Sequence, residues 1–402
     1  MQQPTSWPVV WVVYGAGIVA ATHLGKLPPA LPEIRLAVGA GLVTGGWIAS
    51  MISCTGFALG LFAGGVADRF GQRRVLLFGL AALTVGSLIG AAAHSADVML
   101  ASRFIEGIGF TSTTITGPAI ISRVAASGDR KWALGVWSSY VPMGFAGMLV
   151  AGAAVDEAFG WRTLWVICAV LTTGWAILVA AMTAGWQRRQ AGEIAPETIV
   201  YNIRRALRVR GALLVAGCFA LYAAQNISMM AWLPTYMREV YGADTMVSAL
   251  VPAAVLLFNA GGNWLSARWM GRGLPTWMLL TGGAVGLALT EIAIFPTVLP
   301  DTFRLLFALA FGMFGGMIPA AALGSVPTYA PTPAQIGTMA GLMVTGTNAG
   351  QLFGPPALAA ARQAAGNWGG VLWLVLALAA LGIVLGLLSA VSERRARRSQ
   401  IG

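Results

Sequence analysis

Apolar runs of about twenty residues recur from one end of this 402-residue chain to the other, and each is long enough to cross a bilayer. In lipid a backbone must satisfy its own hydrogen bonds, so such runs fold as helices. Provisional spans are 8–26, 40–66, 75–93, 97–120, 132–154, 162–184, 211–233, 246–266, 275–295, 302–322, 336–357 and 369–391. Only 10% of the residues are charged, against about 25% in soluble domains. The pattern predicts an all-α membrane protein of twelve transmembrane helices. One long polar connector divides them six and six, which predicts two pseudo-symmetric six-helix bundles with a binding site between them. The expected parts are an N-terminal bundle 1–184, a linker 185–210, a C-terminal bundle 211–392 and a basic tail 393–402.

A net charge of +11 would suit a nucleic-acid binder, but the positions of the charges exclude that partner. One set of loops holds Arg69, Arg73, Arg74, Arg123, Arg130, Lys131, Arg188, Arg189, Arg268, Arg272 and the arginines of 204–210 and 394–398. The opposite set holds Lys26, Arg35, Arg103, Arg162, Arg238, Arg304 and Arg362. Basic residues collect on the cytoplasmic side. The expected protein is therefore multi-pass in a bacterial inner (plasma) membrane, with both termini cytoplasmic and its basic loops near anionic membrane lipids. The run Arg204–Arg210 suits a basic amphipathic helix on the inner leaflet. Cys54, Cys168 and Cys218 fall within spans, so no disulfide framework is expected. The start of the chain lacks the features of a cleaved signal peptide. No phosphate loop, zinc motif or nucleophile constellation is present, so an enzyme is not expected.

The loop after span two reads Gly64-Gly65-Val66-Ala67-Asp68-Arg69-Phe70-Gly71-Gln72-Arg73-Arg74. An acid beside a cation at a helix end needs a donor to hold it. This loop resembles the signature that joins spans two and three in the major facilitator superfamily. The resemblance implies a secondary active transporter whose halves are latched on the cytoplasmic side, here by Asp68, Arg69, Gly71, Arg73 and Arg74. The loop after span eight, Ser266–Arg272, echoes it without the acid. Gly56, Gly60 and Gly64 on span two, and Gly346, Gly350 and Gly354 on span eleven, are spaced four apart, as close helix contact in lipid requires. The resemblance places spans two and eleven against each other, so Gly60 and Gly350 become gating candidates.

Span four carries Arg103-Phe104-Ile105-Glu106-Gly107-Ile108-Gly109, with Arg103 and Glu106 on one helix face. Charges inside a bilayer are costly and mark function. The run resembles the superfamily's second signature, which implies proton coupling with Glu106 as the titrating group and Arg103 as its counter-charge. A fixed pair that never titrates is the other reading. His23, in span one, is a candidate proton relay or an interfacial residue. His94 and Glu291 are expected at the interface.

The resemblance also implies a central cavity lined mainly by spans one, four, seven and ten, with help from their neighbours. Candidate substrate contacts there are Tyr14, Thr113, Trp137, Tyr140, Tyr222, Gln225, Asn226, Asn259 and Asn348. Amides and hydroxyls in lipid need partners, and a wet cavity or interhelical bonding supplies them. Apart from Arg103, no cation is expected mid-span and none in the second half, which favours a small neutral or weakly charged organic solute over a strong anion. Met313 with Met317, and Met339 with Met343, sit four apart and suit Cu(I) or apolar packing. A drug or metabolite exporter and a copper importer are thus alternatives, and a non-transporting sensor is the reading of a different class. Gly346–Pro356 and Ala133–Trp137 resemble stretches of cyanate-porter-like members. Span five lacks the glycine–proline signature of drug antiporters. No cofactor is expected beyond the proton motive force, the partners are the solute, protons and lipids, and a monomer is expected.

Overall fold

In a computed structural model residues 4–61, 71–126, 128–183, 196–295, 300–330 and 335–399 are described, and among them only helices, turns and bends occur. Span one is helical over Trp7–Gly25 and resumes after Lys26 as Leu27–Ala37. Pro28 and Pro29 cause the break, because neither has an amide to donate to the carbonyls one turn back. Span two is Leu42–Ser50 and Cys54–Leu59, joined by a tight turn over Met51–Ser53. Spans three and four are Gln72–Ala91 and Ala96–Val124.

A short helix, Arg130–Trp137, precedes spans five and six, which share one helical run, Tyr140–Met182. Gly160 alone breaks that run, at φ 76° and ψ 161°, a conformation that a Cβ makes prohibitive. The run folds back there, so that Gly152 comes against Leu164. After the connector, whose described part begins with the helix Pro196–Ala206, spans seven to twelve are Arg210–Tyr241, Thr245–Gly271, Thr276–Ile294, Asp301–Gly324, Ile336–Ala365 and Leu372–Ser399. The amphipathic segment thus lies earlier than Arg204–Arg210: Arg204 and Arg205 close a helix that ends at Ala206.

Among the described residues nine segments are long and apolar enough to cross a membrane, and one of these, Trp132–Met182, holds both spans five and six. Spans four and eleven have 29 and 30 residues, ample length, but threonines, glycines and charges lower their hydropathy. Counting them restores the twelve crossings. Large apolar side chains such as Phe159, Val170, Ile177 and Trp264 stand exposed on the outer surface, where lipid would cover them.

The halves meet through spans two and eleven. A Cβ on Gly46 would strike Pro355 and Pro356, one on Gly56 would strike Asn348, and one on Gly60 would strike Thr345. Ser53 Oγ donates to Gln351 Oε1 at 2.9 Å across the same seam. The glycine stripe of span eleven does something else. Gly346, Gly350 and Gly354 lie on the carbonyls of Ala216, Ala220 and Ala224 of span seven, within the second half. Span eleven thus turns its glycine face to span seven and a polar face, with Thr345, Asn348 and Gln351, to the glycines of span two, and the spacing alone does not say which partner each face meets. Gly64, Asp68 and Arg69 lie outside the described residues.

Candidate functional site

Four ionisable side chains come together inside the first half, all fully buried: His23, Lys26, Arg103 and Glu106. The proline break in span one makes this possible. At this break the carbonyl of His23 accepts from Arg103 Nη1 at 2.9 Å, and Lys26 lies between the two helices. Arg103 Nη1 also donates to Glu106 Oε2, and Arg103 Nε donates to Ile48 O of span two at 3.3 Å. Lys26 Nζ lies 2.5 Å from Glu106 Oε1 and 2.7 Å from Ser87 Oγ, and 4.4 Å from the ring centre of Trp165. His23 Nδ1 is 3.0 Å from Glu106 Oε1, and Nε2 is 2.9 Å from Thr172 Oγ1.

Several expectations are corrected here. Lys26 was expected in an outer loop and is instead a full member of the cluster; nothing in its local sequence separates a buried lysine from one at a span end. Arg103 is buried beside Glu106, as its reading as a deep cation of span four expects. His23 is not interfacial. Glu291 is 1% exposed rather than interfacial, and its Oε2 has no hydrogen-bond partner. The second half does hold a buried cation, Arg304, which donates to Ile294 O at 2.9 Å and to Tyr236. His94 is exposed, as expected.

The candidate substrate residues divide into two groups. Thr113 faces Gly79 of span three inside the first half and is fully buried, so it does not line the seam between the halves. Trp137 and Tyr140 stack at 4.5 Å and fill the space above Gly17 of span one and Gly117 of span four, which have no side chain to resist them. Tyr140 donates to Thr114 Oγ1 at 3.2 Å, and the Tyr14 hydroxyl is 2.7 Å from Ser139 Oγ. In the second half Asn259 Nδ2 donates to the Tyr222 hydroxyl at 2.8 Å, while Gln225 Nε2 and Asn348 Nδ2 donate to carbonyls one turn back. Gln225 Oε1, Asn226 Nδ2 and Thr345 Oγ1 have no partner. Spans seven and eleven thus present uncharged polar atoms with unused hydrogen-bonding capacity.

Of the signature loop, Gly71 is described at φ 87° and Arg73 is anchored to the end of span six, with Nε on Thr183 Oγ1 at 2.8 Å and Nη2 on Ala180 O at 3.0 Å. Arg74 is exposed. At the opposite end of the molecule a set of residues that the sequence did not single out joins the halves. Arg238 of span seven donates to Pro29 O at 3.2 Å and lies 3.5 Å from Glu33 of the Leu27–Ala37 helix. The Arg35 guanidinium lies 5.9 Å from the ring centre of Trp232. Met339 and Met343 are packed in the apolar core.

Comparison with known proteins agrees with this architecture. The family model described as Major Facilitator Superfamily matches residues 13–331. The chain is 25% identical over 350 residues to the probable sulfoacetate transporter SauU of Cupriavidus necator, covering 81% of this chain and 80% of that protein. It is 23% identical to the uncharacterized MFS-type transporter YceJ of Bacillus subtilis, covering 84% and 88%. With the multidrug transporter mfsC of Aspergillus fumigatus it shares 30% identity over 184 residues, 45% of this chain but only 36% of that protein. A bacterial homologue of the human lysosomal transporter Spinster, in an inward-facing and unoccupied conformation, superposes with a TM-score of 0.79 at 14% identity over 97% of both chains. The matches span only 28–36% of the length of the first curated relatives, the multidrug transporter mfsC among them; the chain belongs to the Major Facilitator Superfamily and has the fold of its multi-pass membrane transporters.

Proposed function

We propose that this protein moves a small, neutral or weakly charged organic solute by alternating access, coupled to protons through His23, Lys26, Arg103 and Glu106. The observation that carries this reading is the buried cluster itself. Placing three basic side chains and an acid in the dry interior of a bundle costs several kcal/mol, about what a typical single contact never returns. A transporter that binds and releases a proton gains a use for it. The solute would bind between the halves, where the unused amide and hydroxyl atoms of Gln225, Asn226 and Thr345 offer hydrogen bonds without charge. The halves would rock about the seam of spans two and eleven.

The basic loops belong at the cytoplasmic face of a bacterial inner membrane by the positive-inside rule. That assignment puts the Arg238–Glu33 contact on the outer side and makes it an outer closure. Because Lys26 sits at the hinge between Gly25 and the helix bearing Glu33, a change of charge at Lys26 acts on the segment that makes the closure. A second reading, transport of a small organic anion, is favoured by the similarity to SauU over most of both chains and by the buried cations Lys26 and Arg304.

Thermal unfolding of the purified protein against glucose, sulfoacetate, amphiphilic amines and Cu(I), at two pH values, tests these readings together. A ligand at a hundred times its dissociation constant stabilises by about 2.7 kcal/mol. Stabilisation by a neutral compound that changes with pH supports the proposal. Stabilisation by sulfoacetate alone overturns it in favour of the anion reading, and a pH-independent hit removes the coupling.

A further inference from the structure

Two hydroxyls decide the direction of the hydrogen bonds in the buried cluster. Ser87 donates to Trp165 O at 2.8 Å, so its oxygen accepts from Lys26 Nζ. Thr172 donates to Cys168 O at 2.7 Å, so its oxygen accepts from His23 Nε2. Nε2 therefore carries the hydrogen, and in a neutral ring Nδ1 is bare. Lys26 Nζ then finds three acceptors for three N–H groups: Ser87 Oγ, Glu106 Oε1 and His23 Nδ1, the last at 3.2 Å. In this arrangement Lys26 is an ammonium and His23 is neutral.

The same atoms support a second arrangement with no side chain turned. One Nζ–H bond breaks, the amine keeps the electron pair, and an N–H bond forms at His23 Nδ1. The imidazolium then donates from Nε2 to Thr172 and from Nδ1 to Glu106 Oε1, 3.0 Å away. The two hydrogens left on Lys26 still serve Ser87 and Glu106. Every donor of Lys26 and His23 is matched in both arrangements, and one proton crossing between two nitrogens 3.2 Å apart interconverts them.

Charge balance shows which group gives that proton up. Two cations, Lys26 and Arg103, face one carboxylate, an excess of one positive charge at a fully buried site. Loss of a proton from the Lys26–His23 pair to water leaves the cluster neutral. Protonation of Glu106 would do the reverse, leaving two adjacent cations without a counter-charge, since Arg103 holds one of its oxygens and Lys26 the other. Among the described residues the other titratable group facing Lys26 is the Cys168 thiol of span six; span three contributes the uncharged Ser87.

We infer that the proton exchanged by this cluster is held by the Lys26–His23 pair, while Glu106 and Arg103 remain a permanent ion pair. The inference rests on the reading that the cluster couples transport to protons.

The test uses an advantage of composition: the chain has two lysines, Lys26 and Lys131, and two histidines, His23 and His94. Full-length protein labelled with nitrogen-15 in lysine and histidine, in lipid nanodiscs, is titrated by NMR across the histidine range of about pH 5 to pH 8 and above it. Infrared spectra of the same samples follow carboxyl protonation. The expected result is one step in which the signals of Lys26 Nζ and the His23 ring change together. No carboxyl band specific to Glu106 accompanies it, and Lys26→Arg, whose guanidinium stays charged, loses the step. A carboxyl band that appears on acidification and is absent in Glu106→Gln overturns the inference but leaves proton coupling standing. If none of the three groups titrates, both fall. The wild-type titration stands alone should Lys26→Arg fail to fold.

Discussion

Replacing Glu106 by glutamine leaves Arg103 and Lys26 facing a neutral amide at a site with 0–1% side-chain exposure. Shape is nearly unchanged, so the cost is electrostatic. Removing one partner of a buried ion pair costs about 3–5 kcal/mol because the remaining charge is stranded. At a pH where the Lys26–His23 pair keeps its proton two cations are stranded, which puts Glu106→Gln at the upper end, about 5 kcal/mol, and Lys26→Met gives back part of it by removing one of them. The surface pair Arg362–Glu239, 3.4 Å apart with 21% and 40% side-chain exposure, sets the scale for comparison. Its loss in Glu239→Gln is expected to cost under about 1 kcal/mol, since solvent screens it. The assay is reversible unfolding in mixed micelles of wild type, Glu106→Gln, Lys26→Met, the double variant and Glu239→Gln. Glu106→Gln as mild as Glu239→Gln would show that water reaches the cluster, and the argument from stranded charge would fail. Additive single costs in the double variant would refute the Lys26–Glu106 interaction.

Gly350→Ala is expected to cost about 1–3 kcal/mol, because its Cβ would stand 1.9 Å from Ala220 O and force spans seven and eleven apart. Gly147→Ala, where nothing stands within 4 Å, is the neutral control in the same unfolding assay. Gly160→Ala should cost about 1–3 kcal/mol from its backbone angles alone, although its side chain meets open space. Arg238→Ala removes a partly exposed contact worth under about 1 kcal/mol, enough to change the ratio of closed to open forms by up to about fivefold. Spin labels at Ala37 and Ala243 would report that change as a longer distance, and an unchanged distribution would deny Arg238 a closing role. Tyr222→Phe strands the Asn259 amide and should lower thermal stability by about 1 kcal/mol.

The twelve crossings were legible in the residue order because hydropathy and length act locally: a run of about twenty apolar residues has no other solvent to fold in. The family was legible too, since the glycine-broken basic loop and Arg103-Phe104-Ile105-Glu106 carry it in consecutive residues. Spans five and six are separate apolar runs in the sequence, but that the break between them falls at Gly160 depends on a backbone conformation. Partners were a different matter. Glycines spaced four apart on span eleven mark a close contact but not which helix makes it, and the structure assigns Gly350 to span seven and Asn348 to span two.

Lys26 marks the boundary between what each level decides. By itself the sequence determined that the chain spans a membrane with helices and that an arginine and a glutamate lie on one face of span four. Those conclusions rest on periodicity and solvent transfer, which neighbouring residues along the chain express. Only the tertiary structure decided that Lys26 and His23 reach the same carboxylate. Their place there depends on two prolines bending span one, on Gly86 leaving room beside Glu106, and on hydroxyls from spans three and six completing the hydrogen bonds. A buried charge is stabilised by groups that converge from several helices, and convergence in space is a property of packing rather than of order along the chain.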